Sequence, residues 1–349
     1  MYLAWNEMRR NKLKFGLIIG VLVMISYLLF FLSGLASGLI NMNREGIDKW
    51  HADAIILNKD ANKTVAQSVI DKKDIEHKYA KQTLLKQTGI IASNGKEKEN
   101  ALLFGVTQKS FLMPKIISGH KFKHDNEVVA DATLKEKGFK LGDRLSLSQS
   151  DEKLKIVGFS ESAKYNASPV VFTNEATIAK INPMLNKDKV NALVVKDSKW
   201  KQQKLNHNLE AVSIEDFVKQ LPGYKAQNLT LNFMIVFLFI ISASVIGIFL
   251  YVMTLQKQSL FGVLKAQGFT NGYLAKVVLA QTFIISLIGT VLGLVLTLIT
   301  GACLPSAVPV SFNIVTLVIF GIALIIVSIV GSLFSILTVR KVDPLKSIG

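Results

Sequence analysis

From residue 217 to residue 342 the chain has no Asp or Glu at all, and beyond Lys225 only Lys257, Lys265 and Lys276 carry charge before Arg340. A water-facing surface mixes charges of both signs, so this third of the sequence belongs in another solvent. It holds three apolar runs, at about 229–255, 274–300 and 312–339, and a fourth lies near the N-terminus at 15–40. Each exceeds the roughly 18 apolar residues that carry a helix across about 30 Å of hydrocarbon. The sequence therefore predicts a polytopic α-helical membrane protein with four transmembrane helices. The first run is too long for the apolar core of a cleaved secretory signal and is expected to stay as an anchor.

Orientation follows from the cations of the short loops. Arg9, Arg10, Lys12 and Lys14 precede the first run, the three lysines named above flank the loop at 256–273, and Arg340, Lys341 and Lys346 follow the last run. All fall on one side, so the positive-inside rule puts a short amphipathic N-terminal helix (1–14), the 256–273 loop and the tail (340–349) in the cytoplasm. Residues 41–228 then form an extracellular domain inserted between helices 1 and 2, with a short outer loop at 301–311. The expected location is a bacterial plasma membrane.

The inserted region is long enough for a core of its own. The short β-branched runs at 127–130, 144–148, 154–159, 169–172 and 192–195 read as strands. Residues 64–87 and 175–181 read as helix, which makes the domain α+β. It shows no nucleophile, zinc or paired-carboxylate motif, so no catalytic residue and no enzyme activity is expected. His120 and His124, four apart with Glu127 nearby, have metal-ligand spacing. Flanking Lys and Gly favour a solvated loop instead, and no metal is assigned. Cys303 is the one cysteine, so no intrachain disulfide forms. The chain carries 41 Lys and Arg against 25 Asp and Glu, net +16. With much of that surplus outside a cell, the expected partner is anionic lipid, wall polymer or substrate, and no nucleic acid.

Three features bear on mechanism. The apolar runs hold no acid, which disfavours ion-coupled carriers and charged filters, because these keep ionisable groups at depth. No GxxxxGK[ST] motif appears, so any ATP must sit on another chain. Gly16, Gly20, Gly34 and Gly38 make two GxxxG pairs offset by 18 residues, or five helical turns, on one helix face. The expected use of that face is a close helix contact across a dimer seam. Gly289 and Gly293 repeat the spacing.

Residues 256–269, QKQSLFGVLKAQGF, set Leu260, Val263, Leu264 and Phe269 against Lys257, Lys265 and Gln267. Gly268 suits a helix stop, and Thr270 or Asn271 suits the next cap. A short amphipathic helix joined to spans two and three at the inner surface acts as a lever on both.

The stretch FGVLKAQGFTNGYL (261–274), followed by an apolar span, and the terminal VDPLKSIG (342–349), with its Asp343-Pro344 turn, resemble the MacB/FtsX-like ABC transporter permeases. The order of elements extends the resemblance over the whole chain. It implies a homodimer bound to two copies of a separate ABC ATPase, which carry the ATP. It also implies a coupling helix whose contact set is Gln256, Lys257, Phe261, Gly262, Leu264, Lys265, Ala266 and Gly268. YVMTLQKQSLFGVLKAQGF and LNFMIVFLF look like the haem-efflux branch of Gram-positive bacteria, which implies haem as the transported ligand and no permanently bound cofactor. Met42, Tyr224 and Met234 are the candidate haem ligands, with Arg44 near the propionates. Two rival readings stand beside this one. The first is export of antimicrobial peptides, antibiotics or lipoproteins, and the second is FtsX-like regulation of a cell-wall hydrolase.

Overall fold

The computed structural model of the protein describes residues 9–75, 79–148, 150–305 and 308–340. The chain divides into two compact units, Leu39–Gln227 and a second made of the segments before and after it.

The second unit holds α1 (Lys12–Asp48) as far as Gly38, most of α5 (Tyr224–Leu255), the short α6 (Gln258–Ala266), α7 (Asn271–Cys303) and α8 (Ile314–Arg340). All four long helices are long and apolar enough to cross a membrane. Lipid gives no hydrophobic drive between helices, so they must join by close packing, and glycines mark where they do. On α7, Gly289 and Gly293 sit against Leu22 and Ser26 of α1, and the Ser26 hydroxyl donates to the Gly289 carbonyl at 3.0 Å. Gly247 of α5 meets the backbone of Gly331 on α8. The Phe312 ring fills the notch left by Gly34 and Gly301, while Gly38 lies on Pro309.

This corrects the sequence expectation for half of the α1 glycine face. Any Cβ at Gly34 or Gly38 would strike Phe312 or Pro309 of the same chain, so their close contact is made within the subunit. Gly16 and Gly20 face open space. The two pairs therefore do not share one surroundings, because Pro309 and Phe312, in the connection between α7 and α8, cover only the Gly34 and Gly38 turns of that face.

In Leu39–Gln227 the strands are β1 (Ala54–Asn58), β2 (Ile70–Asp71), β3 (Gln82–Ser93), β4 (Lys98–Gly105), β5 (Ile116–Gly119), β6 (Glu127–Asp131), β7 (Arg144–Leu147), β8 (Ser150–Ser160), β9 (Val170–Thr173), β10 (Lys189–Val190), β11 (Ala192–Val195) and β12 (Leu209–Ser213). Short helices α2 (Ala132–Glu136), α3 (Glu175–Ile181) and α4 (Ile214–Lys219) follow β6, β9 and β12. The pairings run β3–β4–β9–β6–β8, and β7 joins β8 back to β3, closing a ring of six strands. The ring is a small barrel. Its core is Leu103, Val128, Ala130, Phe139, Leu145, Ile156, Phe159 and Val171, with Leu134 of α2 and Ile178 of α3 among them. Outside the ring, β11, β1 and β12 extend the sheet from β3. In β1, Ile55 and Leu57 enter a cluster with Trp50, Phe104 and Phe217, while Ala54 and Ile56 enter another with Ile70, Val190 and Leu193. The strand is apolar throughout because both of its faces are covered.

Residues 175–181 form the expected helix, capped by the Asn174 side chain accepting from Thr177 N. Residues 64–87 do not. They hold two 3-10 turns, β2 and the start of β3. Their Lys, Gln and Leu favour helix only weakly, and pairing of Gln82–Leu85 with β11 and of Lys86 onward with β4 overrides that preference.

Candidate functional site

Two features of the membrane unit can do work. The first is a groove of about 630 Å³ between α1 and α5. One wall is Leu28, Phe31 and Leu32, and the other is Thr230, Phe233, Met234, Phe237, Leu238 and Ile241. The residues recur at helical spacing on each wall, so one face of each helix is committed to the groove. Phe233 and Phe237 stack with ring centroids 6.4 Å apart. Thr230 is the one hydroxyl in the lining, and its neighbours offer aromatic faces and the Met234 thioether. Such a cleft takes a large apolar ligand and gives it one soft donor.

The second is α6. The expected stop holds: Gly268 has φ +93°, a left-handed position that a side chain would strain. The expected cap holds too, with the Thr270 hydroxyl accepting from Tyr273 N at 3.2 Å. Phe261 is 3 % exposed and packs with Leu274 and Val278 of α7. The face turned away from the spans carries Ser259, Leu260, Val263, Ala266 and Gln267, followed by Phe269, whose ring lies 5.1 Å from that of Tyr273.

The expected contact set therefore divides. Gln256, Ala266 and Gly268 are exposed, and Lys257, Leu264 and Lys265 are half-buried. Phe261 and Gly262 are buried inward, so they brace α6 on the bundle and are not its outer surface. Leu260, Val263 and Phe269 take that outer place. Their alternation with buried Phe261 was readable from the helical period alone.

The proposed haem ligands also separate. Met234 stands on the groove. Met42, Arg44 and Tyr224 belong to the other unit. Tyr224 is 6 % exposed, inside the cluster that holds Ile47, Trp50, Tyr165 and Phe217. Arg44 forms a bidentate pair with Asp48 at 2.7 and 3.0 Å and reaches Glu215 at 3.4 Å. Met42 is half-buried, and its carbonyl accepts from Ala167 N at 3.1 Å. These three tie the end of α1 into the Leu39–Gln227 core. The groove residues Phe31, Phe233 and Phe237 escaped the sequence reading, although their spacing of four on α5 was a usable signal.

Around His120 and His124 the Glu127 carboxylate accepts from the backbone N–H groups of Lys123 and His124 at 2.7 and 3.1 Å, and these bonds hold its pKa below the ordinary carboxylate value. His120 Nδ1 meets the Lys121 carbonyl at 2.8 Å. Among the described residues no three His, Cys, Asp or Glu gather as a metal site. Asp343 and Pro344 lie outside the described residues.

The acid-free bundle with a short amphipathic helix between its second and third long members defines a class. Residues 232–344, which carry most of α5 and all of α6, α7 and α8, match the FtsX-like permease C-terminal family. That part of the chain is thus an FtsX-like permease domain, and the four long apolar helices suit a membrane. Over its whole length, the chain is similar over 354 residues to the putative hemin transport system permease protein HrtB of Staphylococcus epidermidis, at 28 % identity, covering 100 % of this chain and 99 % of that one. HrtB of Staphylococcus haemolyticus is 26 % identical with the same coverage. An uncharacterised ABC transporter permease of Mycobacterium tuberculosis is 22 % identical over 375 residues, again covering 100 % of this chain and 99 % of that one. Among solved structures, the periplasmic region of MacB from Actinobacillus actinomycetemcomitans aligns with a TM-score of 0.36 at 13 % identity, over 51 % of this chain and 94 % of that one. The extracellular domain of YknZ from Gram-positive bacteria aligns with a TM-score of 0.35 at 9 % identity, over 46 % and 98 %.

Proposed function

We propose that this chain is the membrane subunit of an ABC transporter that takes haem, or a similar flat amphiphile, from the membrane and expels it outward. The observation that carries this reading is the apolar groove between α1 and α5. Its 630 Å³ lies in the range of cofactor sites, and its lining is apolar, with three Phe rings and one thioether. Similarity to proteins named for hemin transport supports the choice of ligand. In this reading α6 is the coupling helix, which receives motion from a separate ATPase, and Leu39–Gln227 lies outside the cell. Two copies of the chain pair, with Gly16 and Gly20 free to meet a second helix closely. The groove narrows when α5 moves, and its ligand leaves.

Visible absorption of the purified chain in detergent, titrated with haemin, tests the reading. A saturable Soret shift that Met234→Ala weakens by about tenfold supports it. A non-saturable response, or one that Met234→Ala leaves unchanged, removes haem from this groove.

A further inference from the structure

α6 is joined covalently only to α5 and α7, yet it is also fastened to α1, more than two hundred residues away in sequence. Lys14 Nζ donates to Gln256 Oε1 at 2.9 Å. One residue on, the Lys257 ammonium sits 5.2 Å from the centre of the Phe15 ring. The other side of that ring is enclosed: Phe15 is 2 % exposed and packs with Ile18 and Leu22 of α1, Ile246 and Met253 of α5 and Ile285 of α7. Phe15 thus belongs to a buried cluster shared by three long helices. The α5–α6 corner closes over it with one cation on its face and one charge-assisted hydrogen bond beside it.

α1 and α5 are also the two walls of the groove. Displacing α6 acts on the α5 wall through the chain itself, but reaches the α1 wall only through non-covalent contacts. We propose that Lys14 and Phe15 are positioning residues that latch the foot of α1 to the Gln256–Lys257 corner, so that both walls of the groove follow α6. This rests on the reading of α6 as the element an ATPase moves. The chemistry suits a contact that stays closed during movement. A long Lys reaching an amide, and an ammonium over a ring, both tolerate small shifts without breaking.

The test uses the chain in complex with its ATPase. In a Cys303→Ser background, Lys14→Cys and Gln256→Cys are joined by a short bis-thiol cross-linker. A latch gives equal cross-linking with and without a non-hydrolysable ATP analogue, and the linked complex keeps its ATP hydrolysis within about twofold. A yield that falls severalfold on nucleotide binding, or a linked complex that is inactive, overturns it. Separately, Lys14→Ala lowers haemin-stimulated hydrolysis about three- to tenfold while unstimulated hydrolysis and haemin affinity stay unchanged. Lys14→Gln combined with Gln256→Lys restores the stimulation. A merely structural role lowers both activities together and is not rescued by the exchange. If wild-type protein fails to bind haemin, the ligand assignment falls, and the nucleotide dependence of cross-linking still decides the latch.

Discussion

The Ser26 hydroxyl donates to both the Leu22 carbonyl of its own helix, at 2.7 Å, and the Gly289 carbonyl of α7, at 3.0 Å. That bridge needs the two backbones close together, and Gly289 and Gly293 supply the approach. Gly293→Leu has no room beside Ser26. Overpacking of this kind costs about 1–3 kcal/mol, so the unfolding midpoint in detergent falls by roughly 3–10 °C. Gly16→Leu and Gly20→Leu, which meet no neighbour within their own subunit, leave the midpoint of the separated subunit within about 2 °C and instead weaken the proposed pairing of two copies. A thermal scan of the three variants checks the contrast.

Leu28 is half-exposed on the groove wall. Leu28→Trp fills the cleft without displacing a packed neighbour. The haemin titration then loses saturation while the thermal midpoint holds.

On α6, Leu260 is 47 % exposed and its neighbour Phe261 3 %. Leu260→Asp leaves the chain folded and abolishes stimulation of the ATPase. Phe261→Asp buries a charge among Leu274 and Val278 and lowers the yield of folded protein itself. Hydrolysis assays read beside size-exclusion profiles separate the two.

Asp131 is fully buried at the end of β6. Its carboxylate accepts from Thr133 N at 2.7 Å as the cap of α2, and from Ala163 N at 2.5 Å. Asp131→Ala removes the cap and orphans a buried N–H, a combined cost of about 2–4 kcal/mol. Denaturant unfolding followed by tryptophan emission measures it, and Asp131→Asn recovers part.

Lys86 is 1 % exposed, and its ammonium donates to the Leu185 and Asn186 carbonyls at 3.2 and 2.7 Å, with Glu175 at 3.8 Å. Burial holds its pKa below the ordinary 10.5, against the pull of Glu175. Between the lowered value and 10.5 the unfolded chain binds more protons than the folded one, so stability from this group rises with pH across that window. Lys86→Met removes that slope. Unfolding midpoints of the two proteins, compared from pH 7 to pH 10, shift in favour of wild type as pH rises.

The membrane helices were legible because their cause is local. An apolar run without acids has one stable solvent, whatever the rest of the chain does. The turn at Gly268 and the cap at Thr270 were legible for the same reason, since each is set by residues within four positions. The helix expected at 64–87 failed because β3 is made by partners that no local window contains. Gln82–Leu85 pairs with residues near 193, and 86–93 with residues near 101.

By itself the sequence determined the four apolar helices, the short amphipathic helix between the second and third, and the strand character of the 127–195 region. Those follow from composition and period. Tertiary structure decided where the barrel closes, through the pairing of β7 with both β3 and β8. It also decided which glycines are filled from within the chain, and that residues 28–32 and 230–241 face each other across a groove. Those outcomes depend on which distant surfaces fit. Steric fit between side chains two hundred residues apart leaves no periodic mark on either segment.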